Sequence, residues 1–168
     1  LNRCLNQSSC IVREISHHKG VAEGSMPYTP LIIKKVCVQD DKTIFELHEP
    51  LEWTNGVKKV TVPVEFQCDL ASVPRVPLAY LVVGGMGEVA GTVHDYLYRE
   101  GAEITEGIVT RTPTRKEADD IFLTVLGEEG VSYWKRKAMY YAVRGFAGKN
   151  WHKRKVSDPF IKCEEFIL

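Results

Sequence analysis

Gly91-Thr92-Val93-His94-Asp95-Tyr96-Leu97-Tyr98 is the stretch of sequence that decides the fold. Apolar residues recur through it and just before it at helical spacing, at positions Met86, Val89, Ala90, Val93 and Leu97. This pattern predicts an amphipathic helix on which His94 and Tyr98 share one face, because residues four apart are neighbours on a helix. Asp95 lies about a quarter-turn away from His94. One rigid element therefore offers an imidazole, a carboxylate and a phenol.

Two glycines, Gly87 and Gly91, lie on the His94 face of this predicted helix. A glycine inside a helix costs about 1 kcal/mol relative to alanine. We therefore expect another group to approach this face closely.

A second helix is predicted after Thr114, where Thr114-Arg115-Lys116-Glu117 forms a capping box. Its buried stripe consists of Ala118, Ile121, Phe122, Val125 and Leu126, and Gly127 ends it. Asp119 lies one position off this stripe and Arg115 one turn before it. Residues 99–113, a mobile loop or a small hairpin, are long enough to let the two helices run antiparallel. We therefore predict that an Asp119 oxygen accepts hydrogen bonds from a His94 ring nitrogen and from Tyr98.

The rest of the chain completes an α+β pattern. Residues Leu31 to Phe66 are rich in β-branched residues and carry a hairpin signal at Asn55-Gly56, so we expect a small antiparallel sheet of three or four strands. Along its last strand Val60, Val62 and Val64 are expected on one side. A last helix is predicted from about Ser132 to Val143 or Arg144, with Trp134, Ala138, Tyr141 and Ala142 as its inner face. The expected organisation is an irregular arm over residues 1–30, one α+β domain over residues 31–151 and a tail over residues 152–168.

Composition bounds the classes of protein to consider. A chain of 168 residues with 44% hydrophobic and 26% charged residues is typical of one ordinary globular domain. Basic and acidic residues balance at zero, so no global charge favours nucleic acid or membrane. No two of the five cysteines have the spacing of a pair of metal ligands, which argues against a zinc ribbon. They fit either two disulfides with one remaining thiol in a secreted protein, or five thiols in a cytosolic one.

The loop Gln67 to Pro77 leads out of the sheet towards the first helix. Its polar members are Asp69, Ser72 and Arg75. A turn capped by Asp and Ser that opens a short helix at Pro74 is the simpler interpretation. The alternative is that Asp69 or Arg75 lines a site next to His94.

The segment 131–155 contains eight Lys or Arg and no acidic residue, with Tyr, Trp and Phe interleaved. Basic residues mixed with Trp and Tyr suit an anionic lipid or membrane surface, and suit a nucleic-acid backbone less well. The alternative is a solvated helix face that balances acidic residues elsewhere. The oligomeric state is left open by the sequence.

Four motifs resemble those of an uncharacterised family of short phage and bacterial proteins, a domain of unknown function. They are Asp69-Leu70-Ala71-Ser72-Val73-Pro74-Arg75, His94-Asp95-Tyr96-Leu97-Tyr98, Arg115-Lys116-Glu117-Ala118-Asp119 and Met139-Tyr140-Tyr141-Ala142-Val143-Arg144-Gly145. The resemblance covers roughly Phe66 to Trp151. It implies a shared fold and a shared site, but no established activity.

A second resemblance implies a chemistry. His94-Asp95-x-x-Tyr98, followed about 25 residues later by Ala118-Asp119, is similar to secreted phospholipase A-two, above all to the shortened form in parvovirus capsid proteins. The resemblance implies that His94 is the general base that activates water and that Asp119 orients it with support from Tyr98. It also implies that Asp95 binds calcium, the one cofactor expected.

Further site candidates accompany this resemblance. Asp69 lies in the loop nearest to the place of the phospholipase calcium loop and is a second candidate metal ligand. Ser72, Arg75 and Arg115 are candidate substrate-binding residues. The likeness to the viral form, together with an opening Leu1 in place of methionine, favours a secreted or virion-associated protein over a cytoplasmic one.

Three functional hypotheses follow. The first is an esterase, best described as a calcium-dependent lipid hydrolase. The second is a non-catalytic structural or binding protein in which a satisfied polar network of His94, Asp95, Tyr98, Arg115 and Asp119 fixes helix packing. The third is a metal-dependent hydrolase of another class, such as a peptidase or phosphodiesterase, that uses Asp69, His94 and Asp95. A groove that opens onto His94 would favour the hydrolases, and a buried, fully paired histidine would favour the scaffold.

Overall fold

A computed structural model of the chain describes residues 12–15, 26–39, 42–68 and 87–159. Within them a β-rich N-terminal half is followed by three α-helices, which confirms the α+β fold class. Several sequence-based candidates lie outside the described residues, namely Asp69, Ser72, Arg75, Met86, most of the arm 1–30 and the end of the tail.

The described strands form two antiparallel sheets of four strands each. They are β1 (Val12–Ile15), β2 (Leu31–Gln39), β3 (Lys42–Leu47), β4 (Leu51–Thr54), β5 (Lys58–Val62), β6 (Gln67–Cys68), β7 (Ile104–Glu106) and β8 (Val109–Arg111). The strand orders are β1-β2-β3-β6 and β4-β5-β7-β8. The small sheet predicted over Leu31 to Phe66 is thus divided in two, because the short bend between β3 and β4 sends the chain into a new sheet.

The predicted hairpin at Asn55-Gly56 joins β4 and β5. The Asn55 side chain accepts hydrogen bonds from the backbone N–H groups of Val57 and Lys58, and Gly56 has a φ of 85°, a conformation that favours glycine. Val60 and Val62 are buried as expected. Val64 is exposed, contrary to prediction, because it lies in the turn after β5.

The helices are α1 (Glu88–Leu97), α2 (Arg115–Glu128) and α3 (Tyr133–Phe146), followed by a short 3-10 helix (Ala147–Asn150). Contacts between α1 and α2 run in opposite order along the two helices, so the pair is antiparallel as predicted. Residues of both sheets and all three helices contribute to one hydrophobic core. None of the helices in the described residues has the length and apolarity that a membrane span requires.

Helix α2 matches its prediction closely. Thr114 and Glu117 form the capping box, and the stripe of Ala118, Ile121, Phe122, Val125 and Leu126 is buried. The helix continues through Gly127 and ends at Glu128, so the predicted end was one residue early. Gly130, with a φ of 80°, adopts the left-handed conformation that lets the chain turn towards α3.

Helix α3 presents a different inner face from the predicted one. Met139, Ala142 and Val143 are buried, whereas Trp134 and Tyr141 are 81% and 67% exposed. Ala138 is also exposed. Spacings of three and four residues allow either set of apolar residues to form a stripe, and of the predicted set only Ala142 is buried.

The two glycines of the first motif have different roles. Gly87 precedes α1 and has a φ of 96°, and a Cβ there would lie 3.2 Å from Leu126 Cδ2, so this position meets the expectation of a close approach. It lies outside the helix rather than within it. At Gly91, by contrast, no described atom lies within 4 Å of where a Cβ would be, so the expectation of a close approach is not met there.

The N-terminus of α1 is capped by a side chain from the end of α2. The buried Glu129 carboxylate accepts hydrogen bonds from the backbone N–H groups of Gly87, Val89 and Ala90, at 3.2, 3.1 and 2.9 Å. Burial raises the pKa of Glu129 and the three backbone donors lower it, with a net pKa of about 7. This contact fixes the start of the helix that carries His94.

We expect Glu129→Gln to change how stability depends on pH. Because the folded pKa of Glu129 exceeds its ordinary value, its contribution to stability is fully present below pH of about 4.5 and is lost as pH rises to about 7. The wild-type protein should therefore lose about 3 kcal/mol relative to Glu129→Gln across this window. Denaturant unfolding at several pH values measures the difference. Glu49→Gln, at an exposed bend, should follow the wild-type profile, and parallel profiles for all three proteins would refute the assignment.

Candidate functional site

His94 and Asp119 face each other across the antiparallel helices α1 and α2. Nε2 of His94 lies 2.9 Å from Oδ1 of Asp119, and the Tyr98 hydroxyl donates to the same oxygen at 2.6 Å. The predicted contact between these three residues is therefore present in the structure. Each residue occupies its place because α1 and α2 bury their neighbouring apolar stripes against one another.

An arginine from α3 completes the surroundings of the carboxylate. Nη1 of Arg144 donates to Oδ2 of Asp119 at 2.8 Å, while Nε of Arg115 lies 3.9 Å from that oxygen and donates to the Tyr98 hydroxyl at 3.3 Å. Arg144 was not predicted as a site residue from the sequence. A weak signal for it was present, since it belongs to the last of the four family-like motifs.

The protonation states follow from burial and from these bonds. Burial raises the pKa of Asp119, but hydrogen bonds from His94, Tyr98 and Arg144 outweigh this effect and hold the pKa below its ordinary value, so the carboxyl is ionised. Burial lowers the pKa of His94 and is only partly offset by Asp119, so the imidazole is neutral at pH 7. Burial and Asp119 raise the pKa of Tyr98, which stays a donor.

A neutral imidazole whose Nε2 faces a carboxylate carries its proton on Nε2 and its lone pair on Nδ1. No described residue forms a hydrogen bond with Nδ1. The ring lies between Tyr98 and Phe122, with centroid distances of 4.2 and 4.8 Å, which restrict its rotation. The structure therefore holds one imidazole with a fixed orientation and an acceptor nitrogen that no described residue uses.

Asp95, the candidate calcium ligand, is half-buried, whereas the hydrogen bonds to Asp119 described above come from His94, Tyr98 and Arg144. Glu88, Gly91 and Asp95 are all half-exposed and lie along one side of α1. Asp95 directly follows His94 in the sequence. Calcium takes six to eight oxygen ligands, and the described residues contain no group of three or more His, Cys, Asp or Glu arranged to hold a metal. Asp69 lies outside the described residues, so the described part of the chain alone does not make a calcium site.

Comparison with known proteins gives a family. The model of a family described as "Protein of unknown function (DUF1353)" matches residues 45–143, more than half of the chain. The chain belongs to this DUF1353 family. No curated protein and no solved structure matches it. The match includes His94, Tyr98, Arg115 and Asp119, and it ends one residue before Arg144.

Within the DUF1353 domain Arg115, a candidate substrate-binding residue, has partners inside the protein. Its Nη2 donates to the backbone carbonyls of Val143, at 3.3 Å, and of Arg144, at the C-terminal end of α3. Gly148 makes room for it, since a Cβ there would lie 2.6 Å from Nη1 of Arg115. Arg115 therefore connects Tyr98 with the end of α3.

A groove of about 720 Å³ lies beyond the C-terminal end of α1, and none of its lining residues belongs to the His94 network. Its lining includes Glu46, Phe66, Gln67, Glu100, Lys155 and Asp158. The buried Arg99 holds this region together by donating to the carbonyls of Gln67 and Asp158 at 2.6 and 2.8 Å. A groove that opened onto His94 would favour the hydrolases, and this groove does not open onto it.

Proposed function

We propose that this DUF1353 protein is a hydrolase of ester bonds in which neutral His94 is the general base. The observation that carries the proposal is the 2.9 Å contact between Nε2 of His94 and Oδ1 of the ionised Asp119. This contact orients the ring and places the lone pair on Nδ1, the nitrogen that no described residue uses. A fixed tautomer and a pKa below neutral pH are the properties that a base for water activation requires.

The proposed reaction uses the chain's own residues. Nδ1 of His94 takes a proton from a water molecule as the water oxygen attacks the ester carbonyl. The resulting imidazolium is stabilised by the negative charge of Asp119, and it then returns the proton to the leaving alkoxide. Asp119, Tyr98 and Arg144 are positioning residues, because they hold the carboxylate and the ring rather than meet the substrate.

The likeness to phospholipase A-two supports a lipid ester as the substrate. The likeness to short phage and bacterial proteins makes a phage or bacterial origin part of the same proposal. Calcium is retained as a candidate cofactor with Asp95 and Asp69 as ligands, where it would polarise the ester carbonyl. The steps above do not depend on it. Activity measured with added calcium and with a chelator tests this part separately.

A non-catalytic scaffold is the second candidate, and the burial of the network favours it. The His94 side chain is only 9% exposed, and the Asp119 side chain is fully buried with both of its oxygens bound. Such a network rigidifies a protein whether or not it has an activity.

Replacement of His94 by Gln distinguishes the two candidates. If His94 is the base, His94→Gln should lower the hydrolysis of a dispersed short-chain phosphatidylcholine by about 100-fold or more, with little change in unfolding. His48→Gln, at an exposed bend, is the matched control and should keep full activity. A wild-type protein without esterase activity, together with a loss of about 1 to 3 kcal/mol in stability for His94→Gln, would favour the scaffold.

A further inference from the structure

Helix α3 carries an outward face of aromatic side chains that no part of the described chain covers. Tyr133, Trp134 and Tyr141 are 52%, 81% and 67% exposed, and they lie on the side opposite the buried Met139 and Val143. We call these three residues the aromatic face of α3. Exposure of a large apolar side chain such as Trp134 to water is unfavourable. Three such side chains on one helix therefore indicate a surface that binds a partner.

The segment of sequence that contains the aromatic face is strongly basic. Residues 131–155 contain eight Lys or Arg and no Asp or Glu, although the whole chain has a net charge of zero. The rest of the chain therefore carries an excess of eight acidic residues. Basic and aromatic side chains are close together on α3, because the Lys137 ammonium lies 5.7 Å from the centroid of the Tyr133 ring and 5.9 Å from that of the Tyr140 ring. The surface thus fits a partner that is both anionic and able to accept aromatic rings.

We propose that the aromatic face of α3 docks on the surface of a bilayer that contains anionic phospholipid. Tyr and Trp rings, each with an apolar body and a polar edge, settle at the level of the headgroups. Lysine side chains close to such a surface add electrostatic attraction to the negative headgroups. The helix lies flat on the bilayer, as amphipathic helices with basic and aromatic residues do.

The same helix links this face to the His94 site. Near its C-terminal end, α3 sends Arg144 to Asp119, and the Arg115 guanidinium binds the carbonyls of the last residues of α3. A protein docked through α3 is thus connected to the His94 network through Arg144. The docking proposal depends only on the surface of α3. The inference that the substrate is a phospholipid of the same bilayer rests on the proposed hydrolysis.

Vesicle flotation with the full chain tests the docking. We expect binding to phosphatidylcholine vesicles that contain phosphatidylserine, little binding to phosphatidylcholine alone, and weaker binding as the salt concentration rises, because salt screens exposed charges. Lys135→Glu with Lys137→Glu should weaken binding by roughly twentyfold or more, since each lysine near an anionic surface contributes about fivefold. Trp134→Ala with Tyr141→Ala should also weaken binding.

A matched charge reversal elsewhere is the control. Lys35→Glu with Lys59→Glu makes the same change in net charge on the exposed sides of β2 and β5, and it should leave binding close to wild type. Equal losses for the two reversal pairs, or no binding to phosphatidylserine vesicles, would overturn the proposal. Tighter binding to a single-stranded polynucleotide than to these vesicles would also overturn it, in favour of a nucleic-acid surface.

The docking and the hydrolysis can fail separately. His94→Gln should bind vesicles as the wild type does, because His94 lies outside the aromatic face. Vesicle binding that depends on α3, in a protein that hydrolyses no ester, supports the docking and refutes the hydrolysis. Hydrolysis of a dispersed ester, without vesicle binding, supports the hydrolysis and refutes the docking.

Discussion

Replacing Asp119 by Ala should lower the free energy of unfolding by about 3 kcal/mol, at the lower end of the cost of removing one partner from a buried ion pair. The change leaves the Nε2–H of His94 and the hydroxyl of Tyr98 without their acceptor inside the protein. Arg144 loses less, because its side chain is about one-third exposed and can turn to water. Denaturant unfolding at neutral pH measures the loss.

Two further variants make this result specific. Asp119→Asn keeps the shape of the side chain and one acceptor oxygen, so it should lose less stability than Asp119→Ala. Since the folded pKa of Asp119 lies below its ordinary value, the advantage of the wild type over Asp119→Asn should be present above a pH of about 4 and be lost as the pH falls through the folded pKa. Asp120→Ala, at the half-exposed next position, should cost about 1 kcal/mol or less. An Asp119→Ala loss no larger than that of Asp120→Ala would argue against the network.

Replacing Phe122 by Ala should cost about 3 to 5 kcal/mol, the range typical of removing a fully buried phenylalanine. Phe122 is completely inaccessible to solvent, and its ring lies against the His94 imidazole. The cavity would therefore open beside the ring that the site depends on. We expect the variant to loosen His94 in addition to destabilising the fold, which the ring-proton linewidths in nuclear magnetic resonance spectra would report.

The neighbouring Leu123 provides the comparison. It is half-exposed on the same helix, so Leu123→Ala should cost clearly less than Phe122→Ala in the same denaturant experiment. Equal losses at the two positions would show that the buried face of α2 is wrongly assigned.

The parts of the structure that the sequence predicted well depend on local signals. Helix α2 has a capping box and an unbroken apolar stripe, and both are present in the structure. His94, Tyr98 and Asp119 lie at fixed offsets from two such stripes, so packing the stripes together necessarily brings the three side chains into contact. Periodicity therefore predicted the core of the site without knowledge of the rest of the fold.

Helix α3 shows where periodicity fails. Its aromatic and aliphatic residues both recur every three or four positions, so the sequence alone allows two inner faces. The predicted inner face was Trp134, Ala138, Tyr141 and Ala142, and of these four only Ala142 is buried. In the structure the core offers space for Met139, Ala142 and Val143, and Trp134 and Tyr141 are left outside.

Contacts between distant segments were not predictable by these means. Strand β6 pairs with β3, and β7 pairs with β5, across intervals of sequence that local patterns do not bridge. Arg144 and Glu129 likewise meet their partners only after the helices have packed. A charged residue near a helix end has many plausible partners, and only the tertiary structure selects one.

The ends of α2 have a mechanical consequence for the whole helical layer. Arg115 at its start binds the last carbonyls of α3, and Glu129 directly after its end binds the first N–H groups of α1. Neither neighbour can slide along α2 by one turn, a shift of about 5.4 Å, without giving up these bonds. The positions of α1 and α3 along α2 are thereby fixed. The position of the His94 imidazole opposite Asp119 thus depends on Arg115 and Glu129, two side chains that do not contact the imidazole.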